Sequence, residues 1–211
     1  MIKLFAHRGY VENNIKQNSI ASLKNAFKNG FKAIEFDVWF LDNKLILSHD
    51  KPKKTDDFSI VRFKDYLIYQ NQLEYWVDFK NLDEANVNKV LEILAQNINE
   101  AKINLNQFYF APYLTNYELL QKITQKFDDF FPSKPNLVAV CDDKSQIKDA
   151  VDLIDLGVVN FLSMKHDLID KNLLSHIDAK KLLAWNVNDI KIINDLYQMG
   201  VDKFATDKVK I

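Results

Sequence analysis

Residues 33–40 read AIEFDVWF, a short apolar run that two acids interrupt. Its length and its β-branched and aromatic residues are typical of a buried strand. Glu35 and Asp37 are two positions apart, so both carboxylates point to one face of that strand and Ile34 and Phe36 point to the other. A solvated strand edge is the alternative interpretation. If the strand is buried, two neighbouring carboxylates repel each other and require a cation.

Eight runs of this kind alternate with five longer patterns whose apolar residues recur at spacings of three and four, as in amphipathic helices. The predicted strands are Ile2–Ala6, Ala33–Phe40, Glu74–Phe79, Phe108–Ala111, Leu137–Val140, Val158–Leu162, Lys181–Trp185 and Lys203–Ala205. The predicted helices are Ser19–Asn29, Asp83–Ile98, Asn116–Phe127, Lys144–Ile154 and Asp189–Tyr197. A further extended piece, Lys44–Ser48, is followed by a polar stretch at Lys51–Asp57.

This alternation predicts an α/β fold, a small (β/α)8 TIM barrel, in one domain that spans residues 1–211. A doubly wound open sheet is the alternative. It is less favoured because the chain has only four glycines and no glycine-rich phosphate loop.

Composition excludes several classes of protein. A hydrophobic content of 47% and a charged content of 27% are typical of a globular domain, and a net charge of −1 does not favour nucleic acid binding. The single cysteine, Cys141, cannot form an internal disulfide, and we interpret it as a core residue. With no signal-peptide pattern and no apolar run long enough for stable membrane insertion, we expect a cytoplasmic protein. The oligomeric state stays open.

Polar side chains gather where the predicted strands end, which is where barrel enzymes place their active sites. Five such groups are His7-Arg8, Glu35 with Asp37, His49-Asp50, Asp78 with Lys80, and Trp185-Asn186. The three carboxylates suit Mg²⁺ or Ca²⁺ better than zinc. The two histidines are candidates for proton transfer, and the arginine fork suits phosphate oxygens. His166 and His176 lie in polar surroundings and are interpreted as surface residues.

The order of these motifs resembles a known family. His7-Arg8-Gly9, Glu35-Phe36-Asp37 and His49-Asp50 resemble the HR…ExD…HD signature of the glycerophosphodiester phosphodiesterases. Residues 184–188, AWNVN, with Gly200-Val201-Asp202 and Thr206-Asp207, resemble the closing block of that family.

The resemblance implies a phospholipase C-like barrel that hydrolyses small glycerophosphodiesters to an alcohol and glycerol 3-phosphate with Mg²⁺ or Ca²⁺. By position, Glu35, Asp37 and Asp78 would bind the metal, and His7 and His49 would be the acid–base pair. Arg8 and Lys80 would bind phosphate and Trp185 would line the pocket. By analogy with phosphatidylinositol-specific phospholipases, His7 would be the base and His49 the acid. The sequence leaves that order open, as it does the choice between direct water attack and a cyclic intermediate.

The chain departs from the family pattern at two places. Lys16-Gln17-Asn18-Ser19 replaces the usual PENT or PENS, and Asp78 replaces a glutamate in the E-x-K pattern. The D-x-K pattern also resembles the sphingomyelinase D-type phospholipases. A lysophospholipase D or sphingomyelinase D-like activity on lipid headgroups, and a non-catalytic barrel that binds phosphorylated ligands, are therefore the alternatives.

Overall fold

A computed structural model describes residues 1–53, 60–113 and 117–210. Within these ranges it has nine strands: β1 Lys3–His7, β2 Ala33–Leu41, β3 Lys44–Leu47, β4 Glu74–Phe79, β5 Phe108–Pro112, β6 Asn136–Cys141, β7 Phe161–Lys165, β8 Leu182–Trp185 and β9 Lys203–Thr206. Its seven α-helices within the described residues are α1 Ile20–Lys28, α2 Phe63–Tyr66, α3 Val87–Ala101, α4 Tyr117–Phe130, α5 Ile147–Asp155, α6 Lys171–Leu174 and α7 Ile190–Gln198.

Eight of the strands form a closed parallel barrel. The order is β1-β2-β4-β5-β6-β7-β8-β9, and β9 pairs with β1 to close the circle. The ninth strand, β3, is antiparallel and extends the outer half of β2 beyond the barrel. The predicted (β/α)8 barrel is therefore confirmed, and the open-sheet alternative is excluded by the β1–β9 pairing.

Two apolar layers result from the alternation of side chains along the strands. Ile34, Phe36 and Val38 face outward into the larger layer between barrel and helices. The smaller layer fills the barrel interior, where the Phe5 ring packs edge-on against Trp76 and Tyr109, each with ring centroids 5.6 Å away. These rings fill the barrel below the functional end.

The predicted elements agree with the structure except at some boundaries. The predicted strand Val158–Leu162 begins instead at Phe161 and runs to Lys165. The reason is that Val158 and Val159 follow α5 in a turn, where both backbone N–H groups donate to the Leu153 carbonyl. These two valines pack in or against the core without being part of a strand.

The predicted helix at Asp83–Ile98 begins later, at Val87. The Asp83 carboxylate accepts hydrogen bonds from the N–H groups of Ala85 and Asn86, and this local turn replaces the first helical turn.

Parts of two other predictions, residue 116 of a helix and residues 54–57 of a polar stretch, lie outside the described residues. Across the described residues, none of the helices combines the length and apolar character that crossing a membrane requires.

Candidate functional site

Neighbouring strands bring the predicted site residues together at the carboxyl end of the barrel. The register pairs His7 of β1 with Glu35 of β2, and Asp37 of β2 with Asp78 of β4. Lys80 follows β4 directly. Residues that are far apart in sequence therefore become neighbours because adjacent parallel strands end at the same level.

Glu35, Asp37 and Asp78 form one cluster. Each offers a carboxylate oxygen, and the three oxygens lie within 4.8 Å of one another. Glu35 and Asp37 are only 4% and 1% exposed, which excludes the interpretation of a solvated strand edge. These residues could hold a metal ion, and the all-oxygen donor set is the kind that Mg²⁺ and Ca²⁺ prefer.

Asp37 has the most partners in the cluster. Its Oδ1 lies 2.7 Å from Lys80 Nζ, and its Oδ2 accepts a hydrogen bond of 2.8 Å from Asn18 Nδ2. Arg8 Nε lies 3.0 Å from the same Oδ2, although the N–H of that nitrogen is buried without a hydrogen-bond acceptor among the described residues. Lys80 Nζ also donates to Asp78 Oδ2 at 2.6 Å. The other oxygen of Asp78, Oδ1, is buried without a partner in the described part of the chain.

The carboxylates are short of positive charge. Burial raises the pKa of Glu35 to about 8; nearby His7 opposes this shift, and the Asp37 and Asp78 charges add to it. Burial likewise raises the pKa of Asp78, although Lys80 opposes the shift. Together with the unpaired Asp78 oxygen, this electrostatic deficit fits a site for a cation.

His7 is held by Asp207, a residue for which the sequence predicts no role of its own. Its Nδ1 lies 2.7 Å from Asp207 Oδ1, and its Nε2 lies 3.7 Å from Glu35 Oε2. Burial lowers the pKa of His7, but the negative charges of Glu35 and Asp207 outweigh burial, so the net shift is upward. An Nδ1–H that donates to a carboxylate leaves Nε2 as the basic nitrogen.

Asp207 is itself positioned by Asn188. The Asn188 side chain donates to Asp207 Oδ2 at 2.9 Å and accepts from the Asp207 backbone N–H at 2.7 Å. Burial alone would raise the pKa of Asp207, but the hydrogen bond and charge of His7 lower it. Asn186 adds a side-chain amide 3.2 Å from His7 Nδ1. Thr206-Asp207 and residues 184–188 were noted in the sequence only as motifs, and the motifs were the available signal.

His49 differs from His7 in both position and solvent exposure. It follows β3 outside the barrel wall, its side chain is 50% exposed, and its Nδ1 is 2.9 Å from Asp50 Oδ1. The Trp39 indole N–H donates to the His49 carbonyl at 3.3 Å. One histidine is therefore buried on a strand and the other is exposed on a loop.

One cavity of about 340 Å³ joins these groups. His7, Arg8, Glu35, His49, Asp78, Lys80, Trp185, Trp76, Tyr113, Val140, Ser163, Asn186 and Ala205 line it. Seven of the eight residues selected from the sequence thus face one space, and Asp37 lies beneath them, held by Lys80.

The remaining polar candidates lie away from this cavity. Neither His166, which is partly exposed, nor His176, which is exposed, is among the cavity-lining residues. Cys141 is buried in the layer between barrel and helices, as expected of a core residue.

The structure is a closed (β/α)8 barrel with histidines, carboxylates and cations at the carboxyl end of its strands, which is where barrel enzymes place their active sites. Residues 7–109 match the model of the Glycerophosphoryl diester phosphodiesterase family, which confirms the resemblance in the sequence. Over these residues the chain is similar to that family.

Solved structures share the fold over nearly the whole chain. An Oleispira antarctica phosphodiesterase in complex with the product sn-glycerol-3-phosphate has 17% identity and a TM-score of 0.73, with 97% of this chain and 92% of that chain covered. A glycerophosphodiester phosphodiesterase from Parabacteroides distasonis has 21% identity, the same TM-score of 0.73 and the same coverages of 97% and 92%. A search of curated protein sequences finds no match.

Proposed function

We propose that the protein hydrolyses glycerophosphodiesters to an alcohol and glycerol 3-phosphate in a metal-dependent reaction. The observation that carries the proposal is the single cavity in which the His7–Asp207 pair, the exposed His49 and the three-carboxylate cluster meet. The solved relative that contains sn-glycerol-3-phosphate supports the product assignment.

Glu35, Asp37 and Asp78 are the residues that would hold the metal, Mg²⁺ or Ca²⁺. The fit rests on their oxygen donors within 4.8 Å and on the Asp78 oxygen that is buried without a partner among the described residues. When bound, such an ion neutralises charge on a phosphate oxygen and lowers the pKa of a coordinated hydroxyl or water.

The charge balance supports a monoanionic substrate. When all three carboxylates are ionised, as metal ligands are, the two cations Arg8 and Lys80 leave the cluster with one net negative charge. A divalent ion would change this to one positive charge, which a phosphodiester monoanion neutralises. Arg8 and Lys80 line the cavity. The N–H of Arg8 Nε, which has no acceptor among the described residues, gains one if a phosphate oxygen lies beside it.

His7 and His49 would divide the proton transfers. His7 is the general base in this proposal because Asp207 holds its Nδ1–H and leaves Nε2 free toward the cavity. His49 is the general acid, since a solvent-exposed histidine can protonate the leaving alkoxide and be reprotonated from water. Trp185 at the end of β8 would pack against the substrate. We propose one catalytic domain over residues 1–211, with the single buried cysteine in keeping with a cytoplasmic location.

The test compares Glu35→Ala and His49→Ala with the wild type on glycerophosphocholine, with added Mg²⁺ or Ca²⁺ and with EDTA. We expect each variant and chelation to lower choline release at least about a hundredfold, since general acid–base catalysis alone contributes about 10²–10⁴. His176→Ala, on the exposed surface, is the matched control. Activity that persists in both variants and in EDTA would refute the proposal.

A lysophospholipase D or sphingomyelinase D-like activity is the second candidate function. It is favoured by Asp78, because the D-x-K pattern resembles the sphingomyelinase D-type enzymes. Lysophosphatidylcholine in the same assay separates the two activities. Faster turnover of lysophosphatidylcholine than of glycerophosphocholine would assign the lipid substrate. Calorimetric binding of glycerol 3-phosphate without any turnover would instead show a binding protein.

A further inference from the structure

Ser163 places a hydroxyl inside the barrel that the proposed chemistry does not use. It lies in the middle of β7, where its neighbours Leu162 and Met164 face the helices. Ser163 therefore faces the barrel interior, and it lines the cavity. Only 1% of the residue's surface is exposed, on the cavity that it lines, and in the described ranges 1–53, 60–113 and 117–210 its hydroxyl has no hydrogen-bond partner.

The surroundings of Ser163 make this unusual. The register places it between Val140 of β6 and Leu183 of β8, and Trp76 and Ala205 complete the nearby apolar lining. A buried hydroxyl without a partner is unfavourable, and functional pockets commonly consist of apolar walls with a few positioned polar groups. The hydroxyl is therefore available to a ligand in the inner part of the cavity.

The opposite end of the cavity has a different chemistry. Tyr113 is 40% exposed, donates its hydroxyl proton to Asp142, and places its ring 5.4 Å from Lys80 Nζ. Trp185 lies beside Lys165, whose Nζ is 5.9 Å from the indole ring. This outer end is open and aromatic, whereas the inner end is enclosed by buried side chains. The two arms of a diester would thus meet different environments.

We propose that Ser163 is a specificity-determining residue that hydrogen-bonds a hydroxyl group of the substrate arm directed into the barrel. The inner end then selects a small hydroxylated alcohol such as glycerol, and the other alcohol of the diester leaves past Tyr113 and Trp185. An arm without hydroxyls leaves Ser163 buried and unpaired, and sites built around such a group discriminate against ligands that lack the matching group. This inference rests on the proposed function.

The experiment measures binding of two phosphates to the metal-loaded protein by titration calorimetry. Glycerol 3-phosphate carries the hydroxyls, and propyl phosphate has the same carbon chain without them. We expect Ser163→Ala to weaken glycerol 3-phosphate binding about tenfold, because one hydrogen bond of this kind corresponds to roughly that factor. Binding of propyl phosphate should not change. Ser163→Thr keeps the hydroxyl and should retain most of the preference, and Ser175→Ala, an exposed serine on the outside, is the matched control.

Three outcomes separate the two proposals. Selective loss of glycerol 3-phosphate affinity in Ser163→Ala supports the assignment. An equal change for both phosphates, or no change for either, overturns the role of Ser163 while the proposed function stands. If neither phosphate binds to the wild-type protein and glycerophosphocholine is not hydrolysed, the proposed function fails and the role of Ser163 fails with it.

Discussion

Asp207→Asn tests how the buried histidine is oriented. In the wild-type protein Asn188 Nδ2 donates to Asp207 Oδ2, and His7 Nδ1 lies 2.7 Å from Asp207 Oδ1. An amide at position 207 has only one acceptor oxygen. If that oxygen stays toward Asn188, the new NH₂ group faces His7 Nδ1 and forces the proton of the imidazole onto Nε2. The general base then carries its proton on the wrong nitrogen.

The alternative amide orientation also has a cost. Turning the oxygen toward His7 keeps the imidazole tautomer but loses the hydrogen bond from Asn188, about 1 kcal/mol. In the first orientation the imidazolium loses a charge-assisted hydrogen bond, roughly 1.5–3 kcal/mol, and in the second it keeps a hydrogen bond but loses the negative charge of the carboxylate. At about 1.4 kcal/mol for each factor of ten, kcat should fall by roughly ten- to a hundredfold. KM should change little, because Asp207 is not among the cavity-lining residues.

The assay is steady-state choline release from glycerophosphocholine at saturating metal, together with thermal unfolding of each variant. Asp195→Asn removes the same charge from an exposed position of α7 and is the matched control. A folded Asp207→Asn protein with wild-type kcat would show that the His7–Asp207 contact does not set the tautomer. A large rise in KM at constant kcat would instead place Asp207 in substrate binding.

Three further predictions concern the surroundings of the site. Gly9→Ala should lower the free energy of unfolding by at least about 1 kcal/mol, because φ is 81° and the new Cβ would lie 2.3 Å from the hydroxyl oxygen of Ser22 in α1. Gly30→Ala is the control, since φ is 86° there and the new Cβ would meet open space, and it should lower the free energy of unfolding by less. Equal melting temperatures for the two variants would contradict this prediction. Cys141 should react only slowly with iodoacetamide at pH 8 and faster as pH rises, because burial raises the pKa of the thiol to about 11; rapid labelling of the folded protein at pH 8 would refute this. Asn18→Ala removes side-chain bonds of 2.8 and 3.2 Å to Asp37 and should weaken Mg²⁺ or Ca²⁺ binding several-fold by calorimetry, so unchanged affinity would exclude a role in orienting the carboxylate.

The barrel could be predicted from the sequence because its strands are short, apolar and regularly interrupted by helical patterns. The strand Glu74–Phe79 has the predicted limits, and Glu35 and Asp37 face the interior as their spacing indicates. The predicted element boundaries are wrong where local hydrogen bonds and packing override the hydrophobic pattern. Val159 is buried in the core and Val158 packs against it, and a hydrophobic pattern does not distinguish that kind of burial from burial in a strand.

Asp207 shows what a sequence alone does not contain. It lies 200 positions from His7, and only the pairing of β9 with β1 brings the two side chains together. The hydroxyl of Ser163, which has no partner in the described part of the chain, could not be recognised from the sequence for a similar reason. Its significance depends on neighbours that lack a hydrogen-bonding group, and those neighbours come from other strands. Side chains at strand ends can be located from periodicity, whereas their partners depend on closure of the barrel.

Asp78 illustrates how the structure accommodates a departure from the family pattern. The aspartate is one methylene shorter than glutamate, yet its register partner is Asp37, and Lys80 Nζ lies 2.7 Å from one carboxylate and 2.6 Å from the other. The three-carboxylate cluster is retained, with one Asp78 oxygen buried and unpaired among the described residues. The electrostatic case for a cation therefore follows from this chain's own geometry. The ammonium group of Lys80 and the guanidinium group of Arg8 face three carboxylates, and burial makes it costly to ionise all three without a further positive charge.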